Sequence, residues 1–112
     1  MRDLVPGYLL IESNGPASGP GGARFFTDAL ALARAGHPVR LVLIQEGIGA
    51  AVPETAPELA SLLDAGGELW VDRFSVLQRG LTPDDVATRA RLVEMDEVAA
   101  ALLAPDVQVV WH

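Results

Sequence analysis

"GYLLIESNGPASGPGGARFFTDALALARAGHPVRLVLIQEG", residues 7–47, decides the fold. It opens on a short apolar run, Tyr8 to Ile11, bounded on both sides by turn formers. A continuous apolar run of this length reads as a strand covered on both faces. Residues 14–22 are dense in Gly and Pro and read as a loop. Residues 22–36 place Phe25, Phe26, Ala29, Leu30 and Ala33 at helical spacing, with Gly36 where the helix should stop. Val39 to Ile44 is a second apolar run, with Arg40 its one polar residue. Strand, helix and strand in so short a span make a βαβ unit, which implies parallel strands.

The rest of the chain continues the alternation. Residues 48–52 form a loose helical turn. Residues 55–67 predict a helix, with Thr55 as N-cap, Pro57 in the first turn and Gly66 as the stop. "ELWVD" (68–72) is a third strand, and 74–80 a short helix or turn. Residues 82–90 predict another helix, with Thr82 capping and Pro83 at its first position. "RLVEM" (91–95) reads either as a short strand or as an extended lead-in. Residues 95–105 are helical, and "DVQVVWH" (106–112) is the last strand. Apolar strands alternating with helices mean a sheet covered on both faces. The expected fold is α/β: a three-layer α/β/α sandwich with a four- or five-stranded, mostly parallel sheet, built as one domain over 1–112.

Bulk composition narrows the function. The chain has 112 residues, 50% apolar and 21% charged, which suits a globular domain rather than a disordered one. Its formal net charge of −7 and lack of a Lys/Arg run argue against nucleic acid, whose phosphates it would repel. With no cysteine there is no disulfide, thiolate metal site or thiol nucleophile. Pro6 and Gly7 interrupt the opening apolar residues, so they do not read as a signal peptide. No run is long enough to span a membrane. A cytoplasmic protein, with neither membrane nor nucleic acid as partner, is the expectation.

In a sheet of this kind ligands bind beyond the carboxyl ends of the strands. Those exits are Glu12-Ser13-Asn14, Gln45-Glu46-Gly47, Asp72-Arg73 and Trp111-His112. The ligand-binding candidates are therefore Glu12, Asn14, Gln45, Glu46, Asp72 and Arg73. Glu12, Glu46 and Asp72 end successive strands and would suit a hard cation or acid–base work if they converged. No fixed carboxylate spacing accompanies them, and no metal or other cofactor is expected. The glycine-rich loop lacks G-x-G-x-x-G and G-K-[ST] and reads as a surface loop. Ser13, Ser18, Ser61 and Ser75 have no G-x-S-x-G setting. His37, between Gly36 and Pro38, reads as an exposed turn residue, and His112 as a fraying one.

The order of these segments resembles the DsrE/DsrF-like family, which includes the TusD-type sulfur-relay subunits. The resemblance is carried by "YLLIES", a glycine-rich loop and "FFTDALALARAGHPVRLVLIQEG". It continues in "LLDAGGELWVD", in "RFSVLQRGL" with its Arg79-Gly80, and in a final strand closing on Trp111. It implies the same sandwich and an assembly of like or related subunits. It also implies a functional position at the end of the third strand, where sulfur-carrying members keep a persulfide-bearing cysteine. Here that place falls on Asp72, and a carboxylate cannot carry a persulfide.

Two readings follow. The leading one is a non-catalytic subunit of a homo- or hetero-oligomer, or a module binding a partner or small ligand near Asp72. The alternative is an enzyme of unknown reaction using Asp72, Glu12 and Glu46, with or without a metal ion. Asp72 has two roles open to it, capping the helix that follows or lining a site.

Overall fold

The structure is a computed structural model that describes residues 7–16 and 19–112. Residues 1–6, and Ala17 and Ser18 of the glycine-rich loop, lie outside it. The elements run β1 (Gly7–Glu12), α1 (Gly21–Arg34), β2 (Val39–Leu43), α2 (Pro57–Asp64), β3 (Glu68–Asp72), α3 (Arg73–Gln78), β4 (Arg91–Val93), α4 (Met95–Leu102) and β5 (Val107–Trp111). Gln45–Ala51 and Pro83–Asp85 are 3-10 turns. The five strands form one parallel sheet in the order β4-β3-β2-β1-β5.

Side chains alternate across a strand, and the register turns that rule into two cores. Leu10, Leu41, Leu43, Leu69 and Val71 face one way. They pack under Phe25, Phe26, Ala29 and Ala33 of α1, Leu59 and Leu62 of α2, and Val76 of α3. Leu9, Ile11, Val42, Trp70 and Val93 face the other way, where Val98, Ala101 and Leu102 of α4 cover them. The second cover is thin. Trp70 is shielded there by the Arg40 and Arg91 guanidinium groups, 4.2 and 5.0 Å from its ring centre. Edge strand β5 is barely covered: Val109, Val110 and Trp111 remain exposed, Trp111 at 58%.

The helix boundaries show local chemistry at work. Gly36 and Gly66, with φ of +94° and +96°, take the left-handed conformation that ends α1 and α2. One cap and one helix length differ from expectation. Thr55 does not cap α2, because Pro57 occupies the first turn and forces the residue before it to be extended. Ala56, at φ −136° and ψ 93°, therefore takes the N-cap position without a side-chain bond. The helix expected over 82–90 shrinks to one 3-10 turn. There the Asp85 carboxylate accepts from the Thr82 N–H at 2.7 Å, and the chain turns extended at Val86. His37 is not freely exposed; its ring meets Tyr8 edge-on at 5.2 Å. Among the described residues no helix is long and apolar enough to cross a membrane.

Candidate functional site

The carboxyl ends of β1, β2 and β3 bring the strand-exit residues to one rim, but not into one cluster. Glu12 and Leu43 are paired across β1 and β2, and Leu43 pairs with Val71. Alternation therefore gives Glu12 the face of Leu43 and Val71. Asp72, one residue further on and paired with Val93, takes the opposite face with Trp70. The convergence that a shared carboxylate site would need is not formed. Among the described residues no group of three His, Asp or Glu side chains is placed to hold a metal ion.

Each carboxylate instead has its own partners. Asp72 is 4% exposed and caps α3: its Oδ2 accepts from the Ser75 N–H at 3.2 Å and the Ser75 hydroxyl at 2.6 Å. Ser75 Oγ in turn accepts the Gln45 N–H at 2.8 Å. Gln45 has φ +51°, a left-handed conformation that costs an L-residue on the order of 1 kcal/mol. The chain Asp72–Ser75–Gln45 thus ties the exit of β2 to the start of α3 and holds that strained residue in place. Asp72 Oδ1 is buried and has no hydrogen-bond partner among the described residues. Glu46, exposed, is bound by Arg79 through Nε at 3.0 Å and Nη2 at 2.7 Å. Arg73 pairs with Glu94 at 3.0 Å. Surface ion pairs such as these contribute little stability.

Glu12 is fully buried, and its partner is His112. Nδ1 lies 2.7 and 2.8 Å from the two carboxylate oxygens, and the Asn14 N–H donates to Oε2 at 3.0 Å. His112 was expected to fray. It is instead fastened at the main chain as well, its N–H donating to Ile11 O at 2.8 Å. Its C=O accepts from both the N–H and the hydroxyl of Ser13 at 3.0 Å. Sequence reading missed Ser75 and His112. An Asp followed three residues later by Ser at a helix start was a signal for the first. Nothing local signalled the second, whose partner is 100 residues away.

A model of the DsrE/DsrF-like family matches residues 7–111. The chain belongs to that family. This DsrE-like chain is similar in fold to the ychN protein from E. coli, with a TM-score of 0.86 and 14% identity over 96% of this chain and 100% of that one. It is also similar to MTH1491, a protein of unknown function from Methanobacterium thermoautotrophicum, with a TM-score of 0.76 and 9% identity over 95% and 99%. At such identities the likeness is one of fold alone. No protein of curated function matches the sequence. This family member has no cysteine.

The capping geometry predicts the outcome of one substitution. Asp72→Ala removes both bonds from Ser75 and loosens the hold on Gln45. It should destabilise the fold by about 1 kcal/mol, the typical cost of losing an N-cap, while Asp72→Asn keeps most of it. Urea denaturation checks this; a stabilised Asp72→Ala would mean that Asp72 is held under charge repulsion rather than serving as a cap.

Proposed function

We propose that this DsrE-like protein is a non-catalytic subunit that works by association, with Asp72 as a structural or ligand-contacting group. The observation that carries the reading is what stands at residue 72. A carboxylate occupies the place where the resemblance puts the persulfide-bearing cysteine. Its Oδ2 is committed to the α3 cap, and its Oδ1 is a buried acceptor. Such a group cannot transfer sulfur, but it suits an N–H or O–H donor from a small ligand or partner. The alternative of carboxylate catalysis by Asp72, Glu12 and Glu46 finds no support in the register, which turns Glu12 and Asp72 to opposite faces.

The association half rests on exposed apolar surface. Val109, Val110 and Trp111 lie on edge strand β5, while Phe74 (63% exposed) and Leu77 lie on α3 next to Asp72. Apolar edges of this kind are usually covered in the working protein. A second copy of this chain or a related subunit is the fitting cover. Native mass spectrometry at micromolar concentration should give a dimer or larger species. Trp111→Lys should shift it to monomer while leaving the unfolding midpoint of the monomer nearly unchanged, because the side chain is mostly exposed. A monomeric wild-type protein at that concentration would remove self-association and leave only a hetero-partner to be sought.

A further inference from the structure

The strand order contains a reversal that the reading of Asp72 does not use. From β1 the chain steps outward through β2 and β3 to β4, then returns to lay β5 on the other side of β1. The switch point therefore lies between the carboxyl ends of β1 and β5, the place where an open parallel sheet leaves a crevice for ligands. The residues at those ends are Glu12 and His112.

We propose that this pair is a second polar site, in which Glu12 orients His112 so that Nε2 accepts a hydrogen bond or proton from a small ligand. Nδ1 contacts both oxygens of a wholly buried carboxylate at 2.7 and 2.8 Å. A carboxylate only accepts, so Nδ1 carries the hydrogen and, in the neutral ring, the lone pair is on Nε2. The ring plane is fixed independently by Phe25, stacked at 5.2 Å between centres and 23° between planes. The main chain is held by Ile11 and Ser13. Nε2 makes no hydrogen bond among the described residues. It faces Gly21 across the start of α1, where an added Cβ would come within 3.0 Å. The side chain is 36% exposed.

A carboxylate behind an imidazole is how proteins prepare histidines that act as bases or metal ligands. With no further ligating groups gathered there among the described residues, an acceptor for a ligand O–H or N–H fits better than a metal centre. The buried Glu12 carboxylate disfavours an anion, so the ligand is neutral or cationic. Glu12 is the positioning residue and His112 the one that touches the ligand. The site does not depend on Asp72.

Diethyl pyrocarbonate tests it. The lone pair of an open imidazole nitrogen attacks the carbonyl carbon. The ring gives up its other N–H proton, and the ethyl carbonate that leaves takes up a proton and falls to ethanol and carbon dioxide. Peptide mass mapping should find His112 modified ahead of His37. Glu12→Gln should slow modification of His112 about tenfold, the lower bound for losing the carboxylate behind a working imidazole. If Glu12 were only a latch for β5, the same substitution would loosen the strand and leave the rate unchanged or faster, which overturns the proposal. If Glu12→Gln does not fold, the wild-type protein decides by nitrogen–proton NMR correlation of the His112 ring. A lone-pair Nε2 in the neutral ring supports the assignment, and a protonated Nε2 with a bare Nδ1 refutes it.

Discussion

His112→Ala should lower the unfolding free energy by about 3 kcal/mol, the low end for stripping the partner from a buried charge. Glu12 has no exposure, and without the imidazole only the Asn14 N–H still donates to it. The estimate stays at the low end because His112 is itself 36% exposed, and water can enter where the ring has left. His37→Ala is the internal control. It gives up the edge contact with Tyr8 and should cost less. Urea denaturation of both variants separates them. Equal costs would mean that water or a rotated Glu12 replaces the imidazole without penalty.

Gly47→Ala should cost about 3 kcal/mol, the top of the overpacking range. Gly47 is buried in the turn that leaves β2, and a Cβ there would sit 2.2 Å from the carbonyl oxygen of Glu12. The obstructing atom is backbone and part of the sheet: Glu12 O accepts the Ile44 N–H at 3.1 Å. No rotamer relieves it, so β1 and the turn must move apart. Gly66→Ala gives the comparison, because nothing lies within 4 Å of its Cβ and only its φ of +96° opposes the change. That variant should cost about 1–2 kcal/mol, the penalty of a left-handed L-residue. If Gly47→Ala proves the milder of the two, the turn after β2 is more pliant than its contacts imply.

The layered fold was legible because its inner strands are largely apolar runs and the helices α1 and α2 end in glycine. The order of strands was not, since periodicity says which face a residue takes and not which neighbour it meets. Asp72 as a cap was legible for a local reason: an acidic residue directly before a short helix. What could not be read was its face. Only the pairing of Glu12 with Leu43 and of Asp72 with Val93 shows that these carboxylates look in opposite directions. His112 was misjudged because a residue after the last strand is held only by what folds against it. Pro83 misled in the other direction, since a good first helical residue cannot extend a helix whose next residues favour the turn.

Placing β5 beside β1 has a consequence for how this chain is made. The central strand receives one neighbour early, through the compact β1–α1–β2 unit, and the other only once residues 107–111 have left the ribosome. At about 5–20 residues per second, an interval of 100 residues leaves one flank of β1 open for roughly 5–20 s. During that time Leu9, Leu10 and Ile11 border an unpaired row of peptide groups. Nascent chains on neighbouring ribosomes would meet each other through this flank, so the yield of correctly folded protein should depend on synthesis rate and on chaperones that shield the growing amino-terminal half.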